Sequence, residues 1–167
     1  MPEQAPWRFQ KITRPMIEMP GGHTLLLGRV VTCRGDEVIE DGFVEFDGPR
    51  IAAVGARTEL GARAAEGIET RGTILPGLIQ SHGHLAWDGV HDLANQSLHD
   101  APEISAYKCA GNMLVNLRAG VTTFRDLGMN TSNLFAKQAV AQGIFPGPRL
   151  LVCGQAIVQT GGHTYWC

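Results

Sequence analysis

The sequence predicts an α/β chain in which a small β-sandwich segment precedes the first three β/α units of a TIM-like (β/α)8 barrel. Three observations carry that expectation. Residues 24–55 hold the short runs TLLLGRVVTC and GFVEFDGPRIAAVG with the turn dipeptides Asp41-Gly42 and Asp47-Gly48, a pattern of short antiparallel strands. Apolar runs of the buried-strand type then begin near residues 74, 121 and 149. Between them apolar residues recur every three or four positions, so strand and helix alternate as in a parallel sheet with crossover helices.

Taken in order, residues 1–23 mix Pro, Gly, Trp7 and Phe9 with charges and keep no period. They predict an irregular N-terminal arm, with Trp7 as a packing anchor. Residues 24–72 make up the partial β-sandwich domain. Phe43, Glu45 and Asp47 alternate with Val44 and Phe46, so one face is expected wet and the other packed. Residues 56–72, rich in Ala, Gly and charge, read as a connector with one helical turn. The barrel portion occupies 73–167 and opens on the strand that ends at His84. The stretch LAWDGVHDLANQSLHD that follows is long for a plain connection, and loops after barrel strands concentrate substrate contacts. Trp87, His91 and His99 are therefore candidates to line a pocket, each with a plainer reading as a packing or exposed residue.

A helix is expected from Asp100, which pairs with Glu103 as a capping box and tolerates Pro102 in the first turn. Ile104, Tyr107, Gly111, Leu114 and Leu117 give it one apolar stripe, and Gly120 ends it. Val121–Phe124 is the second strand, closed near the site by Arg125 and Asp126, which read as a structural ion pair, with direct catalysis as the other reading. Ser132 or Asn133 caps a second helix with Phe135, Ala139, Val140 and Ile144 on its apolar face. The third strand is expected over Arg149–Val158. Gly161-Gly162-His163 lies just beyond it, at the face where such barrels keep their sites.

Composition excludes several classes of partner. The 167 residues are 44% hydrophobic and 18% charged, an ordinary globular balance able to bury a core. Fourteen basic and sixteen acidic residues give a formal charge of −2 without long runs, so neither nucleic acid nor an anionic membrane is an expected partner. Cys33, Cys109, Cys153 and Cys167 have no zinc-ribbon spacing and read as reduced thiols. With no signal-peptide pattern at the start and no long apolar run, a cytoplasmic location is expected.

The chemistry concentrates at Ile74-Leu75-Pro76-Gly77-Leu78-Ile79-Gln80-Ser81-His82-Gly83-His84. Side chains two apart on a strand share a face, so His82 and His84 can grip one ion. Imidazole nitrogens suit zinc and similar divalent metals, and two of them form half of a catalytic site that needs further ligands.

The run PGLIQSHGH, the later LRAGVTTFRDLG and the final GPRLLVCGQAIVQTGGH together resemble the amidohydrolase superfamily, in its imidazolonepropionase-like and Xaa-Pro dipeptidase-like branch. The resemblance spans roughly residues 24–165. It implies a metal-dependent hydrolase that cleaves an amide, dipeptide-like or cyclic amide C–N bond with metal-activated water and one or two zinc-like ions. His82 and His84 would be metal ligands. His163 would hold a substrate carbonyl or approach the metal, with a plain turn histidine as the other reading. Tyr165 and Trp166, with Trp87, would wall the pocket or pack against a partner. One residue departs from the pattern: Gln80 stands where the family usually has Asp, replacing a carboxylate that orients a ligand with a neutral amide.

The family's bridging carboxylated lysine, its later histidines and its aspartate base match nothing in this chain, so no catalytic base is assigned here. A barrel of this kind commonly takes about 250 residues. The expectation is that a second polypeptide carries the remaining strands, as a separate subunit or as the other product of a cut after Cys167, within a higher oligomer. Two other readings stand beside it: a structural half-barrel subunit without chemistry, and a heterocycle deaminase of the same superfamily.

Overall fold

The computed structural model describes residues 23–165. The N-terminal arm with Trp7 lies outside them, as do Trp166 and Cys167. His23, expected in the arm, instead opens the first strand. The chain divides into two compact units, one ending at Gly77 and the other running on from Leu78.

The first unit is a four-stranded sheet built from β1 (His23–Val31), β2 (Val38–Asp47), β3 (Arg50–Ala56) and β4 (Ile68–Ile74), in the order β3-β2-β1-β4. β1 pairs antiparallel with β2, and β2 with β3, as the short alternating runs predict. Asp47-Gly48 makes the β2–β3 turn. Asp41-Gly42 does not turn: Gly42 stays inside β2 opposite Gly28, next to a bulge in β1. The connector is likewise more ordered than its composition suggests. Arg57–Glu66 is a kinked 3-10 segment, and β4 follows it to pair parallel with β1, where the Thr70 hydroxyl donates to the Leu27 carbonyl at 2.8 Å.

That 3-10 segment covers the sheet face expected to be wet. Leu60 packs with Leu25, Leu27 and Phe43, and Arg63 pairs with Glu45, which is itself buried. Leu27 is fully buried, a placement worth about 1.5–3 kcal/mol for a leucine. The opposite face is apolar too. Val30, Ile39, Val44, Phe46 and Ile51 line a groove of about 450 Å³, so mid-β2 has no solvated side.

The second unit holds a parallel sheet of β5 (Leu78–Gly83), β6 (Val121–Asp126) and β7 (Arg149–Val152), in chain order. Three helices connect its strands: α1 (Leu93–His99), α2 (Pro102–Arg118) and α3 (Ser132–Ala141). Its core gathers Leu85, Ala86, Cys109, Met113, Phe124, Met129, Ala136 and Leu150. These are the first β/α units of the expected barrel, with four local corrections.

The long stretch after His84 contains α1, capped by the Asp92 carboxylate accepting from Asn95 N. α2 begins one residue later than the capping box implies, with Ala101 at the cap and Pro102 in the first turn. The Asp100 carboxylate instead takes the Lys108 ammonium at 2.6 Å, and Asp88 takes it at 2.9 Å. α2 also turns a different face inward. Ser105, Cys109 and Met113 are buried while Ile104 and Tyr107 are exposed. At 100° per residue the two sets lie nearly opposite each other. Both sides of α2 carry apolar residues, and the small Ser105 and Cys109 are what allow close approach to the sheet.

α3 starts after Thr131, so Ser132 and Asn133 are not caps but buried residues of its first turn. Phe135 is exposed and Ala136 is buried in its place. β7 ends at Val152; beyond it only the bridge Met129–Gln155 extends the sheet. Among the described residues no helix is long and apolar enough to cross a membrane.

The thiol of Cys109 reports on this packing. Burial pushes its pKa up to about 12, helped by the negative charge of Asp126. A thiol held neutral in the fold loses that preference as pH climbs. The contribution of this thiol to stability is therefore expected to be constant below the ordinary thiol value of 9.0 and to fall between there and 12. Timed alkylation with mass readout should find Cys33 and Cys153, both exposed, modified well before Cys109.

Candidate metal centre

β5 delivers His82 and His84 to the C-terminal edge of the parallel sheet, where β/α barrels build their sites. Their ring centroids stand 5.5 Å apart in an edge-on arrangement. The residue between them has to be glycine. A Cβ on Gly83 would run into the ring of Phe124, a buried core residue on β6. Gly83→Ala is expected to cost about 1–3 kcal/mol by overpacking, read as a lower urea midpoint.

The two imidazoles are held differently. His84 Nδ1 lies 2.6 Å from the Gly128 carbonyl oxygen. A carbonyl only accepts, so Nδ1 carries a proton, and the neutral form of this ring has its lone pair on Nε2. The His84 ring also leans on Trp87, centroid to centroid 4.7 Å. Trp87 is fixed in turn: its indole N–H donates to Ser97 Oγ at 2.8 Å, and Asn112 Nδ2 donates to the Leu85 and Trp87 carbonyls at 2.9 Å each. His82 is exposed, and its backbone N–H reaches the side-chain oxygen of Gln80 at 3.3 Å. Gln80 thus bonds to the peptide of His82.

Asp126 ends β6 at the level of Gly83, its neighbour in register. It does not pair with Arg125, which is exposed; it is 2% exposed and entirely engaged with neutral donors. Oδ2 accepts from Leu85 N, and Oδ1 from Gly128 N and Asn133 Nδ2, all at 2.8 Å. Asn133 Nδ2 also donates to the Gly154 carbonyl at 3.2 Å, while its Oδ1 is buried without a hydrogen-bond partner. Sequence reasoning placed Asp126 near the site but not in this role, and missed Asn133. The legible signal was a carboxylate at the end of a buried strand.

His82, His84, Trp87 and His163 come together around one cavity of about 500 Å³, with Leu127, Met129, Ile157 and Val158 among its other walls. Tyr165 is exposed and outside that lining. His91 is exposed; His99 lines a different hollow with Asp88, Asp92 and Lys108, its Nδ1 donating to Asn95 O. Among the described residues no group of three or more His, Cys, Asp or Glu is arranged to hold a metal. The two histidines fit an ion as a pair: His84 has its Nε2 free and both rings face one cavity.

Among solved structures, a Xaa-Pro dipeptidase with methionine bound in its active site matches at 25% identity and a TM-score of 0.73, covering 86% of this chain and 36% of that one. A prolidase complexed with N-methylphosphonate-L-proline matches at 28% and 0.65, covering 84% and 34%. An atrazine chlorohydrolase from Arthrobacter aurescens, complexed with zinc, shares the fold at 24% and 0.56, covering 78% and 35%. The chain thus spans about a third of the length of these structures. Curated proteins give no match. The profile of the amidohydrolase family matches residues 73–164, more than half of the sequence, and the chain belongs to that family.

Proposed function

We propose that this chain is the metal-binding opening of an amidohydrolase that cleaves amide, dipeptide-like or cyclic amide C–N bonds. The observation that carries this reading is the His82–His84 pair at one sheet edge, with the His84 Nε2 lone pair left available by the Gly128 carbonyl. His82 and His84 would hold one or two zinc-like divalent ions, which supply Lewis acidity and an activated water. The likeness to a Xaa-Pro dipeptidase and a prolidase supports an amide-type substrate, and the zinc in the chlorohydrolase supports a divalent metal.

The chain's own residues do the positioning. His163 faces the same cavity as the two ligands and would orient the substrate carbonyl. Trp87 both backs His84 and, with Leu127, Met129, Ile157 and Val158, presents an apolar wall to a neutral part of the substrate. Tyr165, which follows Thr164 of the cavity lining, would join that wall once the rest of the barrel is in place. The remaining ligands, including a bridging carboxylated lysine, and the base would come from barrel segments beyond the three units here, on whichever polypeptide carries them, in a higher oligomer.

The test is native and denaturing mass spectrometry of the purified material with elemental analysis, followed by a screen of Xaa-Pro dipeptides and cyclic amides. Bound divalent metal with release of an amine or acid product is the expected outcome. Metal-free protein, or ammonia released from a heterocycle, would overturn the reading. His163→Ala is expected to raise KM or lower kcat by about 10–100-fold while metal content holds, the size of effect seen when one polar substrate contact is removed; unchanged kinetics would remove His163 from the site.

A further inference from the structure

A closed circuit of hydrogen bonds joins three chain segments behind His84. The imidazole donates to the Gly128 carbonyl, the Gly128 N–H donates to Asp126 Oδ1, and Asp126 Oδ2 accepts from the N–H of Leu85, the residue after His84. Asn133 completes the arrangement by donating to Asp126 Oδ1 and to Gly154 O in the loop after β7. Asp126 and Asn133 are almost fully buried. In that low-dielectric setting each bond is stronger than its aqueous counterpart, and a missing partner is correspondingly costly.

We propose that Asp126 is a positioning residue for the metal ligand His84, acting through Gly128, whose N–H it holds and whose carbonyl holds the imidazole, with Asn133 locking Asp126. The inference rests on the assignment of His84 as a ligand. Its physical content is a choice of tautomer. A free imidazole favours the proton on Nε2, which would leave no lone pair facing the cavity; a carbonyl fixed 2.6 Å from Nδ1 reverses that preference. The carbonyl can do so only if its peptide is fixed. Gly128 sits at φ 94°, a conformation that favours glycine, and a Cβ there would come within 2.7 Å of Gly154 O. The Gly128 carbonyl belongs to the Gly128–Met129 peptide, whose own N–H donates to Gly154 O at 3.3 Å, while the Asp126 carboxylate holds the preceding peptide through the Gly128 N–H, so Gly128 is fixed on both sides.

The carboxylate is required as such. Leu85 N, Gly128 N and Asn133 Nδ2 are all donors, so the group facing them must accept on both oxygens. Asp126→Asn turns one acceptor into a donor that points at another N–H. Ser132 and Lys108 also tie this region together, through Pro102 O and through Asp88 and Asp100, but neither touches the circuit.

The experiment is nitrogen-15 NMR of histidine-labelled protein in its native assembly, stripped of metal, at alkaline pH where the rings are neutral. Chemical shifts distinguish Nδ1–H from Nε2–H. Wild-type His84 is expected as Nδ1–H, and Asp126→Asn should shift it toward Nε2–H. Zinc affinity, measured by competition with a chromophoric chelator, should weaken about 10–100-fold. Lys108→Met serves as the control for loss of packing and should leave the tautomer unchanged. If Asp126→Asn does not fold, Asn133→Ala replaces it: that change also removes the unpartnered Oδ1, and an intermediate tautomer shift is expected. An Nε2–H proton in wild-type His84, or a tautomer unmoved in the folded variant, overturns the proposal. Zinc binding with an unmoved tautomer sinks the positioning role alone. The expected tautomer without zinc binding sinks the metal assignment alone.

Discussion

Replacing His84 with alanine is expected to abolish metal binding and hydrolysis together, and to do so without unfolding the barrel unit. The ring supplies a cavity-facing Nε2 whose direction is fixed by the hydrogen bond from Nδ1 to the Gly128 carbonyl. On the proposed role its loss removes a ligand outright, so zinc affinity should fall by more than the roughly 100-fold that losing a mere supporting partner reaches. The side chain is only half-buried, and its removal strips one acceptor, Gly128 O, of its donor, a cost of about 1–3 kcal/mol. His82→Ala should match it in metal content and activity and exceed it in stability, since His82 is exposed. Retention of stoichiometric metal by either variant, in elemental analysis of protein purified without added zinc, would remove the pair from the site.

The second large effect is expected at a residue that touches neither metal nor substrate. Asn133→Asp would place a carboxylate where the Nδ2 group now donates to Asp126 Oδ1 at 2.8 Å and to Gly154 O at 3.2 Å. Two buried like charges would then face each other with no cation among their hydrogen-bond partners. An uncompensated buried charge costs roughly 3–5 kcal/mol, a large part of a typical domain's 5–15 kcal/mol. The defect has a pH signature. Like charge and burial raise the new carboxyl's pKa in the fold above its unfolded value. The variant therefore keeps its stability at low pH, where the group is protonated in both states, and loses it as pH rises through the raised value. Urea midpoints measured from about pH 4 to 8 should show a wild-type-to-variant gap that widens with pH; a constant gap would mean that shape, not charge, is what position 133 demands.

Local pattern determined a large part of this protein. The antiparallel β1–β2–β3 order, the three parallel strands and the helices between them follow from two-residue and 3.6-residue periodicities, which each segment carries in itself. His82 and His84 were legible for the same reason: a strand's alternation puts residues two apart on one face whatever the rest of the chain does. Gly83 could be read only as a spacer until Phe124 was found against it.

Tertiary structure decided what depends on partners far along the chain. α2 has apolar residues on opposite sides, and only the sheet's demand for close approach selects Ser105, Cys109 and Met113 over Ile104 and Tyr107. β4 is polar and short, a strand because β1 offers it an edge, and nothing local marks it as one. Asp126 looks from the sequence like the partner of its neighbour Arg125. In the fold its nearest needs are three N–H groups at Leu85, Gly128 and Asn133, brought to it by three separate segments. Burial makes those donors outbid a solvated guanidinium, because an unmet N–H in the interior costs more than a surface ion pair returns. The histidine pair was written in the sequence; the hydrogen bonds around His84 arise only when β5, β6 and the turn into α3 are assembled.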